Sequence, residues 1–369
     1  MAGPARFIGS EIYRHSSYGS KHPLAIPRVS ACIDLCRALG WLDAALYRDS
    51  PLASVDALAR FHERDYLAAL IAAEASQRVS PEHKQRYHIG INGNPLFPEI
   101  FRRPATACGG TLLAVELLGQ GIATVYHPAG GTHHGRPGRA SGFCYLNDPV
   151  LGIKALLDAG FARVLYLDID AHHCDGVEDA FAGEPRVRMI SLHEAGRWPF
   201  TGAVHEHAGG SAHNLPVPPG LNDSELDFLL EEAILPLAEA YRPEVVIVQG
   251  GADALADDPL SKLELSNNAH WRVVAAAQRL APRVIVLGGG GYNPWAVARC
   301  WAGVWATLND LAIPPRLPSA AEAVLRDMSW QRSQGRNPPQ HWFTTLADLP
   351  RPGPLRPAIK ALAAAALGG

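Results

Sequence analysis

The chain has 369 residues, 47% of them hydrophobic and 19% charged, with a net charge of −3. That length can bury a sizeable core, and the charge balance excludes a basic nucleic-acid footprint and a polybasic membrane signal. No run approaches the ~18 apolar residues that span a bilayer, and the segment Met1-Ala-Gly-Pro-Ala-Arg-Phe-Ile-Gly9 has no charged region leading into an apolar core. Six cysteines (Cys32, Cys36, Cys108, Cys144, Cys174, Cys300) are dispersed without paired C-x-x-C spacing, which predicts reduced thiols and a cytoplasmic protein. Composition leaves homo-oligomers open.

In chain order, residues 1–60 offer a short strand-like start and then a helix over 29–39, entered through Pro27 and ended by Gly40. A second helix is predicted to begin at Phe61, followed by a polar surface loop over 80–94 and a buried helix over 106–118. Beyond that the pattern alternates. Strands are predicted at 122–126, 163–168, 187–192, 245–248 and 283–287. Helices are predicted at 149–159, 224–241 (with Ser224 as N-cap), 268–280 and 294–308. Short continuous apolar strands separated by helices predict an α/β fold, a single open and mainly parallel sheet with helices on both faces. One catalytic domain is expected over 1–312. A Pro-rich extension, 313–369, packs on it or trails from it and ends in an Ala-rich helix from Pro357.

In such a sheet, ligands bind beyond the carboxyl ends of the strands, and here each strand end leads into small residues and then a polar or aromatic group. After 122–126 come His127 and Gly130-Gly-Thr-His133-His134. After 163–168 comes Asp168-Ile-Asp170-Ala-His172-His173-Cys-Asp175. After 187–192 come His193 and a loop with Trp198 and Phe200. The last two strands lead into Gln249-Gly-Gly-Ala-Asp253 and Gly288-Gly-Gly-Gly-Tyr292-Asn293. Side chains at i, i+2 and i+4 of an extended chain share a side, so Asp168, Asp170 and His172 share one if the strand persists that far. A carboxylate and an imidazole at that spacing suit a divalent metal that accepts mixed N/O ligands. Asp170, His172 and Asp253 together leave coordination positions open, as a catalytic metal needs. His133-His134 could be a second metal pair, a base pair or a turn. The Gly-rich turn does not fit a dinucleotide or P-loop motif, since Asn293 stands at the third Gly position and no Lys follows.

These segments, together with Phe61-His-Glu-Arg-Asp-Tyr66 and Ser141-Gly-Phe-Cys-Tyr-Leu-Asn-Asp148, resemble in order the histone deacetylase, acetoin-utilisation and acetylpolyamine amidohydrolase superfamily, including its bacterial members. The resemblance covers about residues 20–310 and implies the arginase/deacetylase fold and a metal-dependent amidohydrolase. It implies Zn²⁺, with Fe²⁺ as competitor, on Asp170, His172 and Asp253. His133 and His134 become tandem acid/base histidines, Asp168 and Asp175 their carboxylate partners, and Tyr292 the phenol that polarises the acyl oxygen. Gly142, Phe143, Trp198, Leu260 and Asn92 are expected along the substrate tunnel. A structural K⁺ is expected against Asp168, Asp170, His172, Ser191 and Leu192. The implied substrate is an acetyl- or short-acyl-lysine in a protein or peptide. The alternatives are a small acylated amine such as an acetylpolyamine, or a non-catalytic acyl-amine binder.

Three departures stand out. The loop 87–95 lacks the carboxylate with which class I protein deacetylases grip a peptide backbone. Leu260 stands where acetylpolyamine enzymes often place a Glu, although Asp257 and Asp258 are near it in sequence. Cys174 replaces a common Gly. Asp170-Ala-His172 also resembles the D-A-H motif of arginase-like ureohydrolases, but the second D-x-D of that family is missing at Asp253 and Tyr292 would have no role.

Overall fold

Val164–Asp168, Val245–Gln249 and Val284–Leu287 are apolar runs, closed by at most one polar residue, in which every position is buried. A strand without a solvent face has to lie inside a sheet covered on both sides. The computed structural model describes residues 3–91 and 93–368 and contains that sheet. Among the described residues its strands are β1 Arg6–Gly9, β2 Tyr47–Asp49, β3 Thr124–His127, β4 Val164–Asp168, β5 Val187–Glu194, β6 Ala212–Val217, β7 Val245–Gln249 and β8 Val284–Leu287. The order is β2-β1-β3-β8-β7-β4-β5-β6, and every pairing is parallel. The strands whose ends carry the suspected chemistry, β3, β8, β7, β4 and β5, are therefore consecutive in the sheet.

Helices α1 (Val29–Ala38), α2 (Arg102–Gly119), α3 (Asp148–Asp158), α4 (Asn267–Leu280), α5 (Pro294–Leu308) and α6 (Pro357–Leu367) cover the two faces. Strand alternation decides which side chain meets which layer. Leu165 and Leu167 of β4 join a core shared with α1, α4 and α5, while Val164 and Tyr166 join the core under α2 and α3. The helix expected from Phe61 starts at Arg64, after Glu63 in extended conformation. The supposed polar loop holds a helix, Pro81–Tyr87, capped by Ser80 through a 3.1 Å bond from His83 N. The helix expected over 224–241 starts at Asp223, with Asn222 and Glu225 closing a capping box in place of a Ser224 cap, and a π-turn at Leu230–Ile234 divides it.

The chain after 312 lies along the body. Asp348 N donates to Asn267 Oδ1 at 2.9 Å, and Arg356 holds buried Glu225 through both carboxylate oxygens at 2.6 Å. Trp342 is stacked on Trp295 with centroids 5.3 Å apart and donates its indole N–H to Asp257 Oδ2 at 3.0 Å. Trp342→Ala removes a buried ring and orphans that carboxylate, so chemical denaturation should show a loss of about 3–5 kcal/mol, with Trp342→Phe recovering part of it. Among the described residues no helix is long and apolar enough to cross a membrane.

Candidate active site

The four central strand ends bring the sequence-predicted residues together. After β4 the chain turns at once: Asp170 N donates to Asp168 Oδ1 at 2.9 Å and His172 N to Asp170 Oδ1 at 3.0 Å. These short bonds fold the loop back on itself and point its side chains over the sheet edge. After β7, Gly250 and Gly251 let Asp253 reach the same place, where its Oδ1 accepts from Ala171 N at 3.0 Å. His172 Nδ1 then lies 3.0 Å from Asp253 Oδ2 and 3.2 Å from Asp170 Oδ1. One donor atom from each of Asp170, His172 and Asp253 falls within 4.8 Å of the others.

The glycines of the β8 turn are explained by the same crowding. A Cβ on Gly290 would collide with the Asp253 carboxylate, and one on Gly251 with that of Asp170. Gly290 N donates to Asp170 Oδ2 at 2.7 Å, so the turn's backbone, not a side chain, borders the cluster.

His133 and His134 lie side by side, ring centroids 4.0 Å apart, on the loop after β3. Each hands its Nδ1 to a carboxylate: His133 to Asp168 Oδ2 at 2.8 Å and His134 to Asp175 Oδ1 at 2.6 Å. That arrangement fixes the tautomer and leaves both Nε2 atoms for chemistry. The two imidazoles differ in basicity. Burial works against a charge on His133, but Asp168 and Asp170 outweigh it and push its pKa up to about 9. Burial and the charge of His133 drive His134 down to about 3, despite Asp175. Neighbouring groups thus push two identical side chains in opposite directions.

Tyr292 is held by its own backbone, its N–H donating to Asp258 Oδ2 at 2.6 Å, and its ring meets Phe143 edge-on at 5.8 Å. Burial, then the charge of Asp253, pushes the phenol pKa well above its ordinary value, so it remains a proton donor. A cavity of about 850 Å³ opens over this group and is lined by His134, His172 and Tyr292 at depth, with Gly142, Phe143, Trp198 and Leu260 along its walls. Asn92 lies outside the described residues, while its neighbour Gly93 lines the cavity. Ser191 is the register partner of Asp168, and Leu192 follows it on β5.

Some neighbours were not legible as site residues. Tyr166 donates its hydroxyl to Asp168 Oδ2 at 2.8 Å, and Arg136 pairs with Asp175 and Asp179. The alternation of β4 could have placed Tyr166 on the side of Asp168; nothing in the sequence marked Arg136. His173 is turned away, bonded to Thr201 and Glu178. Cys174 is buried, which raises its thiol pKa and leaves it inert. All six cysteines are free.

Residues 22–308 match the histone deacetylase domain family. The acetoin utilization protein AcuC of Bacillus subtilis (strain 168) is 33% identical over 368 residues, 96% of this chain and 93% of its own length. Histone deacetylase 9 of Arabidopsis thaliana is 35% identical over 316 residues, 82% of this chain and 72% of its own. The crystal structure of an HDAC homologue from Aquifex aeolicus superposes with a TM-score of 0.93 at 35% identity, covering 99% of this chain and 100% of that one. The crystal structure of an HDAC homologue in complex with SAHA gives the same figures. On this combination of sequence, fold and site, the chain belongs to the histone deacetylase family.

Proposed function

We propose that this deacetylase is zinc-dependent and removes an acetyl or other short acyl group from lysine side chains in proteins or peptides. The observation that carries the reading is the convergence of Asp170, His172 and Asp253 beneath a cavity that also receives His134 and Tyr292. The donor set fits the ion. One imidazole nitrogen and two carboxylates suit Zn²⁺, with Fe²⁺ next, and three protein ligands leave the cavity side open. The surroundings call for a cation as well, since Asp170 and Asp253 are both buried with donor atoms within 4.8 Å of each other. Bound there, zinc supplies Lewis acidity towards the acyl oxygen and makes water acidic enough to act as a nucleophile near neutral pH. For K⁺, the Asp168 carboxylate and Ser191 hydroxyl offer oxygen donors, and the β4–β5 register sets them opposite each other next to Asp170, His172 and Leu192.

The protein's own groups do the rest. His134, neutral at pH 7, is able to take a proton from water, and His133, which keeps its own, is able to give one to the departing nitrogen. Asp168 and Asp175 hold the two rings in orientation. Tyr292 donates to the oxygen on which negative charge grows. Phe143 and Trp198 present apolar ring faces suited to the methylene stem of an acylated lysine.

The test is hydrolysis of a panel of acyl-lysine peptides and acetylpolyamines by zinc-loaded protein, with a hydroxamate competitor. Turnover of acetylpolyamines alone would transfer the reading to small amines, and turnover of none would reduce the chain to an acyl-amine binder. Zinc uptake carries its own prediction. Hydrogen bonds to Asp170 and Asp253 overcome burial and push the His172 pKa up to about 10 without metal. The imidazole is then protonated at pH 7, and zinc must displace that proton. That proton alone should make apparent zinc affinity rise about tenfold per pH unit between 7 and 9. Calorimetry in buffers of different ionisation enthalpy counts it; no proton release would contradict His172 as a ligand.

A further inference from the structure

We infer that the mouth of the cavity selects an anionic group on the amine side of the amide, a carboxylate flanking the acylated lysine, and that Lys262 is the specificity-determining residue. The inference rests on the deacylase reading above and names the substrate class within it.

The outer wall of the cavity carries three charged side chains, Glu194, Arg197 and Lys262. Two of them cancel. Arg197 clasps Glu194 through Nε at 2.6 Å and Nη2 at 2.9 Å, and its Nη1 donates to Leu260 O at 2.7 Å. Glu194 Oε2 also accepts from Lys262 N at 2.7 Å, so the carboxylate is buried and fully engaged. Lys262 is exposed and, among the described residues, its ammonium group has no carboxylate within ion-pair distance. Its backbone is pinned on both sides, by the bond to Glu194 and by Gly220 N donating to its carbonyl at 2.7 Å. The unpaired cation therefore springs from a fixed point on the rim.

The carboxylates that could have welcomed a polyamine face elsewhere. Asp257 Oδ2 accepts the Trp342 indole at 3.0 Å. Asp258 is buried, accepting from Leu260 N at 2.9 Å and Tyr292 N at 2.6 Å. Asp170 and Asp253 belong to the proposed metal site on the floor. Among the described residues that line the mouth, what remains is a single unpaired positive charge, beside the exposed rings of Trp198 and Phe200. The acyl group lies at the floor, so this charge meets whatever is attached to the departing amine. A flanking Glu or Asp is attracted; a flanking Lys, or the second ammonium of an acetylpolyamine, is repelled.

Acetyl-lysine peptides of one length with Glu, Gln or Lys on both sides, and N1-acetylspermidine, test this in the zinc-loaded protein. The expected order of kcat/KM is Glu, Gln, Lys, with acetylspermidine below the Glu peptide. Each step is about two- to fivefold, the range of exposed charge pairs, and compresses in about 0.5 M salt. Lys262→Gln should flatten the order and Lys262→Glu should reverse it, with zinc content and melting temperature reporting intact folding. Equal rates on the Glu and Lys peptides, or an unaltered order in Lys262→Glu, overturns the inference while leaving the deacylase reading in place. If nothing is hydrolysed, that reading fails, and the mouth is judged by anisotropy with the labelled peptides on Tyr292→Phe protein: Glu-first affinity supports the inference and equal affinity overturns it.

Discussion

Asp253→Ala is expected to leave the protein folded but without its metal and without activity. Asp253 contributes one of three converging donors, with Oδ2 3.0 Å from His172 Nδ1, and two ligands do not hold zinc against dialysis at neutral pH. Loss of an outer partner of a metal ligand alone brings about 10–100-fold in affinity or activity, so loss of a ligand should exceed a hundredfold. The alanine also orphans Ala171 N, which donates to Asp253 Oδ1 at 3.0 Å, and an unmet buried amide destabilises by about 1–3 kcal/mol. Asp253→Asn separates the two effects, because its amide oxygen keeps the acceptor for Ala171 while its neutral head weakens the metal site. Elemental analysis after dialysis, beside a melting curve, distinguishes them. Metal retained at one equivalent in both variants would remove Asp253 from the ligand set.

Much of this site could be read before any coordinates because its residues follow strand ends, and strand ends in a parallel sheet share an edge. Val245–Gln249 and Val284–Leu287 announce themselves as unbroken apolar runs. Pro294–Leu308 follows from its apolar run, and the structure adds Asn293 as a side-chain cap ahead of Pro294, a residue preset for the first turn. The strands that escaped notice are poor in that signal. Tyr47–Asp49 is three residues long at one edge, and Ala212–Val217 at the other contains Pro216, which only an edge tolerates. The helix Pro81–Tyr87 escaped because its composition is that of a loop, with one buried residue, Tyr87.

The direction of a side chain on a loop is the information that periodicity lacks. Asp257 and Asp258 read as solvated or substrate-facing carboxylates, yet one holds Trp342 and the other holds the backbone of Tyr292. Arg136 lies two positions from His134, and only the fold brings it onto Asp175. The same limit applies to charge at the mouth: Lys262 and Glu194 are far apart in sequence, and the one-unit imbalance emerges when Arg197 is seen to close on Glu194.

Tyr292→Phe isolates a single proton. The ring would keep its edge-on contact with Phe143 and the backbone bond to Asp258, since neither involves the hydroxyl. Among the described residues the hydroxyl makes no hydrogen bond, and the side chain lines the cavity, so no buried partner is stranded by its loss. The phenylalanine protein should fold normally and hold the same zinc. Its kcat should fall about 10²–10³-fold, the loss from removing one oxyanion donor, with KM for an acetyl-lysine peptide little altered. A fall in kcat and kcat/KM together marks an interaction made in the transition state and not in the ground state. The pH profile supplies an independent check. Burial holds the phenol protonated well beyond its ordinary range, so the wild-type alkaline limb below about pH 10 should not come from Tyr292 and should survive in the variant. A variant with full turnover, or one whose alkaline limb has vanished, would assign Tyr292 a different role: a wall of the cavity in the first case, a titrating acid in the second.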